Sequence, residues 1–167
     1  EHIIIKFDVK MSKGNAPELL EHRIASHTGY STRFAKVDRR YGDEEGYEVI
    51  VPWHLLKLSS DDYRVKEFWR SVEEAIRAYE FLLMQGVPRE SARYVLPFCI
   101  AAGIYHMTWN LRSLLNLLSL RLCVRASPEF RCIAAQIYFN LIEQLPIMQG
   151  LAGCRGFMRG CLLYTSD

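Results

Sequence analysis

The sequence predicts an α+β fold, arranged as a single domain across residues 1–167. Apolar and polar residues alternate near the N-terminus, which is typical of a strand, and apolar residues recur at helical spacing from Asp61 to Met84. The predicted strands and helices do not follow a regular βαβ order, so a parallel sheet is not favoured. A chain of 167 residues is long enough to bury one sizeable core.

The first third of the chain predicts three strands and one short helix. A half-buried strand is expected over His2–Lys10, where one face is apolar. Pro17 suits the first turn of a helix that we expect to end at about Ala25. Further strands are expected over Ser31–Lys36 and Glu48–Pro52, separated by a charged, solvated loop from Asp38 to Tyr47.

The middle of the chain predicts the longest helix. Ser60 is its expected N-cap, Asp61–Met84 its expected extent, and Gly86 its expected end. Pro88 then begins another helical turn, which Pro97 closes.

The last third predicts one strand and two helices. An apolar and aromatic strand is expected over Phe98–Trp109, followed by a leucine-rich helix over Asn110–Leu122. Ser127 is the expected N-cap of a helix from Pro128 to about Leu145. Residues Pro146–Cys161 are expected to be helical or irregular.

The composition indicates a soluble globular protein with an anion-binding rather than a nucleic-acid-binding character. Half of the residues are hydrophobic, and the net charge of +2 is too small to predict a nucleic-acid partner. Arginine nevertheless outnumbers lysine among the 21 basic residues, and no lysine follows Lys66. Arginine is the better residue for bidentate binding of phosphate.

The cysteines and apolar segments predict a cytoplasmic protein. The five cysteines are odd in number and form no C-x-x-C pair, so reduced thiols are favoured over disulfides or a zinc site. No signal peptide is evident, and charged or amide residues interrupt every apolar run before it could span a membrane.

Two parts of the sequence concentrate side chains that bind anions and hydroxyl groups. The first is Glu21–Arg33, which reads EHRIASHTGYSTR. The second lies in the latter half of the chain and comprises Arg93, Asn110, Arg112, Asn116 and Arg121. On a helix, Arg112 and Asn116 share one stripe, because four residues nearly complete a turn. These clusters predict a site for a phosphorylated ligand, with no obvious protein nucleophile.

Other interpretations of the same residues remain open. The leucine-rich helix also fits an ordinary amphipathic helix with an asparagine N-cap and solvated arginines. A hydrolase triad would need serine, histidine and acid together, but the chain lacks a G-x-S-x-G turn. His22 and His27 are five residues apart, which is poor helical spacing for metal ligands. An RNA-binding module would require aromatic motifs that are missing.

The segment EHRIAS, followed by four residues, a serine and an arginine, resembles the signature of the flavin-dependent thymidylate synthases. That signature is R-H-R, seven residues, then serine. The strand EHIIIKFDVK and the segments VPRESARYVLP, TWNLRSLLNLLSLRL and ASPEFR also resemble family segments, in the same order and at similar spacing. The resemblance covers nearly the whole chain and implies the family fold, an antiparallel or mixed sheet with long helices. It also implies a homotetramer with active sites shared between subunits.

The resemblance implies a role for each matching residue. The positions that would bind FAD are Glu21, His22, Arg23, Asn110, Arg112, Asn116 and Arg125. The positions that would bind the uracil nucleotide are Glu18, Gly29, Ser31, Thr32, Arg33, Arg93 and Arg121. Arg121 would also be catalytic, because its charge against the uracil would favour ionisation at N3 and raise electron density at C5.

The resemblance implies methylation at C5 of UMP or dUMP. Methylenetetrahydrofolate would donate the carbon, and NADPH would supply reducing equivalents through FAD. A homologue that binds flavin or nucleotide but has lost catalysis is the alternative, because a family arginine is missing.

The sequence departs from the family pattern at three places. Glu21 stands where the first arginine of R-H-R is expected, Glu18 where glutamine is usual, and Thr28–Gly29 where Asn-Glu or Ser-Gln is usual. An acid at position 21 cannot bind phosphate. Gly29 leaves space, and Glu18 or Glu21 could accept a hydrogen bond. We therefore hypothesise a pocket altered to admit a ribose 2′-hydroxyl, as in UMP C5-methylases of nucleoside-antibiotic pathways such as the polyoxin pathway.

Overall fold

The computed structural model describes residues 2–29 and 47–153. Its α+β architecture, as predicted, combines a small antiparallel sheet, in the order β1-β3-β2, with helices. The strands are β1 (Ile4–Ser12), β2 (Ala25–Gly29) and β3 (Ala101–Asn110). The helices are α1 (Ala16–Leu20), α2 (Trp53–Leu56), α3 (Tyr63–Met84), α4 (Arg89–Ala92), α5 (Leu111–Arg121) and α6 (Pro128–Gln144). Short 3₁₀ turns lie at Arg93–Val95 and Pro146–Met148.

The alternation that predicted the first strand is confirmed. Burial along β1 alternates, with Ile5, Phe7 and Val9 less exposed than their neighbours. The central strand β3 also confirms its prediction, although it begins three residues later and ends one residue later than expected. The backbone N–H of Leu111 donates to the carbonyl of Ile3, which matches the antiparallel register of β1 and β3.

The predictions for the last two helices are confirmed at their N-termini. The Asn110 side chain accepts a hydrogen bond from the backbone N–H of Ser113, which caps α5. The Ser127 hydroxyl accepts one from Phe130, which caps α6. Gly86 follows α3 with φ of +79°, the conformation that ends helices and that glycine adopts without strain.

The prediction of a helix over Pro17–Ala25 is wrong beyond Leu20. Helix α1 ends there, and Ala25–Gly29 is strand β2 instead. Ile24 has φ of +61°, a left-handed conformation that no helix continues through, so the predicted helix cannot extend to Ala25. Glu21 and Arg23, which were expected on a helix, therefore lie on the segment between α1 and β2.

Two smaller predictions also need correction. Glu48–Pro52 is not a strand, because Val49 forms only an isolated antiparallel bridge with Ile100. Helix α3 is capped by the Asp62 side chain, which accepts from the N–H of Arg64, and not by Ser60. The predicted strand Ser31–Lys36 and nearly all of the predicted loop Asp38–Tyr47 lie outside the described residues.

The chain divides into two compact units, and the single-domain prediction stays a prediction. The described part of the first unit comprises residues 2–9, 17–28 and 105–153. Its helices α5 and α6 pack together, and its fully buried side chains include Trp109, Leu114 and Phe130.

The second unit comprises residues 10–16, 29 and 47–104 of the described chain. Its core is built around Tyr79, Ala92, Leu96 and Ile100, with partly buried residues of α3 packed against them. Within residues 2–29 and 47–153, none of the helices has the length and apolar character needed to cross a membrane.

A candidate anion-binding pocket

A pocket of about 950 Å³ lies within the first unit, between the segment that follows α1 and one face of α5. This volume is at the upper end of the range usual for small-molecule and cofactor sites. The lining residues are Glu21, His22, Arg23, Ile24, Asn110, Arg112, Ser113, Leu115, Asn116, Leu120 and Arg121.

Helix α5 supplies the polar wall because its sequence is amphipathic. Leu114, Leu117 and Leu118 are fully buried on its inner side. Arg112 and Asn116, four residues apart, are exposed on the side that lines the pocket. Burial of the leucines therefore fixes the direction in which the guanidinium and amide groups point.

Arg121, at the end of α5, is held by a hydrogen-bond network. Its Nη1 donates to Glu18 Oε2 at 2.7 Å, and its Nε donates to His22 Nε2 at 2.9 Å. The Arg121 side chain is 20% exposed and that of Glu18 is 37% exposed, so the ion pair is partly shielded from water. Both partners come from the α1 region, so the network joins that region to the C-terminal end of α5.

His22 acts in this network as a neutral acceptor. Burial lowers its pKa to about 4, with further lowering from the positive charge of Arg121 and from His27. A neutral imidazole carries one proton, and Nε2 accepts from Arg121, so the proton lies on Nδ1.

Aromatic rings support the network from the side of the core. The Arg121 guanidinium lies 4.8 Å from the centroid of the Phe130 ring, within the range of a cation–π contact. His22 contacts Phe130 edge-on, with ring centroids 6.0 Å apart, and lies at a tilt to Trp109. These contacts restrict the orientation of both polar side chains before any ligand arrives.

The structure brings together seven of the fourteen predicted site residues. Glu21, His22, Arg23, Asn110, Arg112, Asn116 and Arg121 all line the pocket. Glu18 is not in the lining, but its carboxylate is bonded to Arg121. The guanidinium and amide donors suit an anion, whereas the Glu21 carboxylate opposes one.

Other predicted site residues lie elsewhere. Arg125 is exposed in the turn after α5 and is not part of the lining, so the pocket does not bring it together with the other residues predicted to bind FAD. Gly29 is the last residue of β2. Arg93 belongs to the second unit, where its charge lowers the pKa of Lys13 in addition to the lowering that burial causes. Ser31, Thr32 and Arg33 lie outside the described residues.

Some of the residues that line the pocket were not predicted from the sequence. Ile24, Leu115 and Leu120 contribute apolar surface, and Ser113 contributes a hydroxyl. Helical spacing places Leu115 on the apolar face of the predicted amphipathic helix, so the sequence gives no signal that separates it from its buried neighbours. No signal in the sequence identifies Ile24 as a lining residue, because its position in the pocket depends on its own positive φ.

Comparison with known proteins agrees with the family resemblance seen in the sequence. The family model described as Thymidylate synthase complementing protein matches residues 1–147. A flavin-dependent thymidylate synthase of Saccharolobus solfataricus is 40% identical over 135 residues, which cover 80% of this chain and 48% of that protein. One from Geobacter sulfurreducens is 32% identical over 153 residues, covering 91% and 59%. The chain thus spans about half the length of such curated relatives.

Proposed function

We propose that this chain takes part in FAD-dependent methylation of C5 in a uracil nucleotide, because it belongs to the family described as Thymidylate synthase complementing protein. The observation that carries the proposal is the pocket in which Arg23, Arg112, Asn116 and Arg121 converge. The likeness to relatives named flavin-dependent thymidylate synthases supports it.

The donor set of the pocket fits a flavin nucleotide at all but one position. Guanidinium and amide groups would bind the phosphates and the polar ring edge, while Leu115 and Leu120 offer apolar surface to a ring. The exception is Glu21, whose carboxylate repels a diphosphate. The proposed FAD-binding residues are His22, Arg23, Asn110, Arg112 and Asn116.

FAD, when bound, supplies the redox chemistry that completes transfer of a carbon from methylenetetrahydrofolate, with NADPH as reductant. The residues of this chain contribute position and charge. Arg121 has five N–H groups, and three of them have partners in the described part of the chain: Nε donates to His22, Nη1 to the Glu18 carboxylate, and Nη2 to the Glu18 carbonyl at 3.5 Å. Remaining donors can face the uracil, where positive charge favours loss of the N3 proton and raises electron density at C5.

The positioning of Arg121 follows from its neighbours. Glu18 and His22 fix two directions of the guanidinium, and Phe130 supports its face. A guanidinium restricted in this way loses little freedom when a substrate binds. His22 contributes a lone pair and not a second positive charge, so it does not compete with Arg121 for the anion.

The substrate proposal is UMP or dUMP. Glu18 replaces the glutamine that is usual at its position, and its carboxylate is already bonded to Arg121. Preference for UMP would place the activity in nucleoside-antibiotic synthesis, and preference for dUMP in thymidylate synthesis.

Self-association in the cytoplasm belongs to the same proposal. Phe139, Ile147 and Leu151 are each at least 60% exposed in the first unit. They support the homotetramer that the family resemblance implies, with the exposed residues covered by further copies of the chain.

The test is an absorption spectrum of the purified full chain, followed by titration with FAD and then with UMP or dUMP. We expect a flavin band that one nucleotide perturbs, and formation of a C5-methylated product with methylenetetrahydrofolate and NADPH. Arg121→Lys should abolish most product formation, whereas Arg77→Lys is the matched control, at an exposed arginine of α3 outside the pocket lining. A chain that binds no FAD contradicts the proposal.

A second candidate function has its own supporting observation. The Glu21 carboxylate in the pocket reduces its affinity for a diphosphate, which favours a homologue that retains binding but has lost catalysis. A yellow protein that responds to nucleotide without forming methylated product would favour that candidate.

A further inference from the structure

Ile24 combines three properties that the proposed chemistry does not use. Within the described chain, it is the one residue other than glycine with positive φ, at +61°. It is also 76% exposed, so its side chain contributes little to the core. Finally, it lines the pocket of about 950 Å³ and a second cleft of about 370 Å³.

The backbone of Ile24 is strained. A β-branched residue at positive φ brings its side chain against its own backbone, which makes such residues genuine outliers. Glycine or asparagine would form the same turn between α1 and β2 with less strain. The turn alone therefore gives no reason for isoleucine at this position.

Core packing gives no reason either. Strained residues persist where the surrounding structure holds them, and they cluster at ligand-binding sites. The side chain of Ile24 lies at the boundary of two clefts, and Asn110 lines both of them as well. Leu115 and Leu120 are the other large apolar residues in the larger pocket, whose remaining lining is mostly polar.

We propose that Ile24 is a cofactor-binding residue, whose left-handed backbone presents an exposed apolar side chain to an aromatic ring of FAD. This inference rests on the proposed function, because it assigns the apolar contact within the same pocket. The guanidinium and amide groups bind the charged part of the cofactor. Ile24 packs on the planar part and separates it from the second cleft.

The inference predicts opposite effects on stability and binding. Ile24→Gly and Ile24→Asn relieve the strain, so the unfolding temperature without FAD should rise by about 2–4 °C. The same variants remove the apolar contact, so the dissociation constant for FAD should rise about tenfold. Ile24→Val keeps both the branched side chain and the strain, so both quantities should stay close to those of the unmodified chain.

A second control uses the same residue type at another exposed position. Ile3 is 49% exposed, lines neither cleft and is not among the residues with positive φ. Ile3→Asn should therefore neither raise the unfolding temperature nor change FAD affinity.

The experiment measures thermal unfolding without cofactor and FAD binding by quenching of flavin fluorescence, with the oligomeric state recorded for each variant. If the Ile24→Gly variant binds FAD as tightly as the unmodified chain, the inference is overturned and the proposed function stands. A changed oligomeric state overturns it as well, because Ile24 would then contact another copy. An unmodified chain that binds no FAD overturns both.

Discussion

His22 links the charge of Arg121 to the buried part of the first unit. It is 7% exposed, accepts a hydrogen bond from Arg121 and has its pKa lowered to about 4. Protonation would remove the acceptor lone pair and place a second positive charge beside the guanidinium. The bond between these two side chains therefore requires the neutral imidazole.

Stability should consequently fall in acid. An unfolded histidine has a pKa of about 6.5, so between about pH 4 and 6.5 the unfolded chain binds more protons at this residue. The contribution of His22 to the free energy of unfolding is complete above about pH 6.5 and is lost as the pH falls towards 4. Its total size is at most roughly 3 kcal/mol.

The measurement is urea unfolding at several pH values from 4 to 8. His22→Gln should flatten the pH dependence in this window, because glutamine does not titrate. His54→Gln is the matched control, since His54 is exposed and outside the pocket. An unchanged slope in His22→Gln would show that other groups cause the acid sensitivity.

Glu21 is the residue that should weaken FAD binding in this chain. Glu21→Gln removes a negative charge from the pocket lining, so we expect FAD affinity to rise roughly three- to tenfold at low salt. The gain should shrink at high ionic strength, because salt screens exposed charges.

Glu143→Gln is the charge-matched control for Glu21, because Glu143 is exposed on α6 and does not line the pocket. Titrations of both variants with FAD at two salt concentrations decide the question. Equal affinities for the two variants would mean that the Glu21 charge does not face the cofactor.

The sequence predicted which residues line the candidate pocket better than it predicted the hydrogen bonds between them. The family-like spacing identified His22, Arg112, Asn116 and Arg121, and all four line one pocket. The bonds among Glu18, His22 and Arg121 join positions about 100 residues apart in sequence. Such hydrogen bonds require the tertiary fold to bring the α1 region within reach of the end of α5, which local patterns do not determine.

Helix α5 places a capping residue in the binding pocket. The Asn110 side-chain oxygen accepts from the N–H of Ser113 at 2.8 Å, and Asn110 also lines both clefts. The oxygen is engaged in the cap, while the amide N–H₂ is the group that a ligand oxygen would meet. We therefore predict that helix stability and ligand binding depend on different atoms of this side chain.

Substitutions at Asn110 should separate these two roles. Asn110→Ala should lower the free energy of unfolding by about 1 kcal/mol and weaken FAD binding, because both atoms are lost. Asn110→Ser keeps a capping oxygen, so we expect near-normal stability with weakened binding. Ser127→Ala removes the cap of α6 outside the pocket and should lower stability alone.

For each of the three cap variants, urea unfolding measures the free energy of unfolding and FAD titration measures the dissociation constant. Normal FAD binding by Asn110→Ser would contradict the ligand role and leave Asn110 with its capping role only.

Elements with strong local signals were predicted well. Helices α3, α5 and α6 and strands β1 and β3 follow apolar periodicity that the sequence displays, and the caps of α5 and α6 were also predicted. The short strand β2 was missed because Ala-Ser-His-Thr-Gly has no apolar alternation, and its pairing with β3 supplies what the sequence lacks. The extent of α1 was overestimated because nothing in the sequence reveals the left-handed Ile24.

At the scale of the whole molecule, the open question is how many units unfold cooperatively. The sequence predicts one domain, whereas the contacts divide the chain into two compact units. Strand β3 is unbroken from Ala101 to Asn110, yet Ile104 belongs to one unit and Tyr105 to the other. Because β3 contributes residues to both units, we propose that they unfold in a single transition.

Tryptophan fluorescence can follow each unit separately. Trp109 lies in the first unit, and Trp53 and Trp69 lie in the second. A chain with Trp53→Phe and Trp69→Phe reports on Trp109, and a chain with Trp109→Phe and Trp53→Phe reports on Trp69. We expect the two urea midpoints to coincide once each is normalised to the unfolding midpoint that circular dichroism gives for the same variant.

The normalisation is necessary because Trp109 is 1% exposed, and its replacement by a smaller ring lowers stability through the space it leaves. A cooperative molecule transmits that loss to every probe, so fluorescence and circular dichroism shift together. If the Trp69 signal keeps its original midpoint while circular dichroism shows two steps, the units are independent domains. The single-domain prediction would then be wrong, and the pocket would belong to a domain that unfolds by itself.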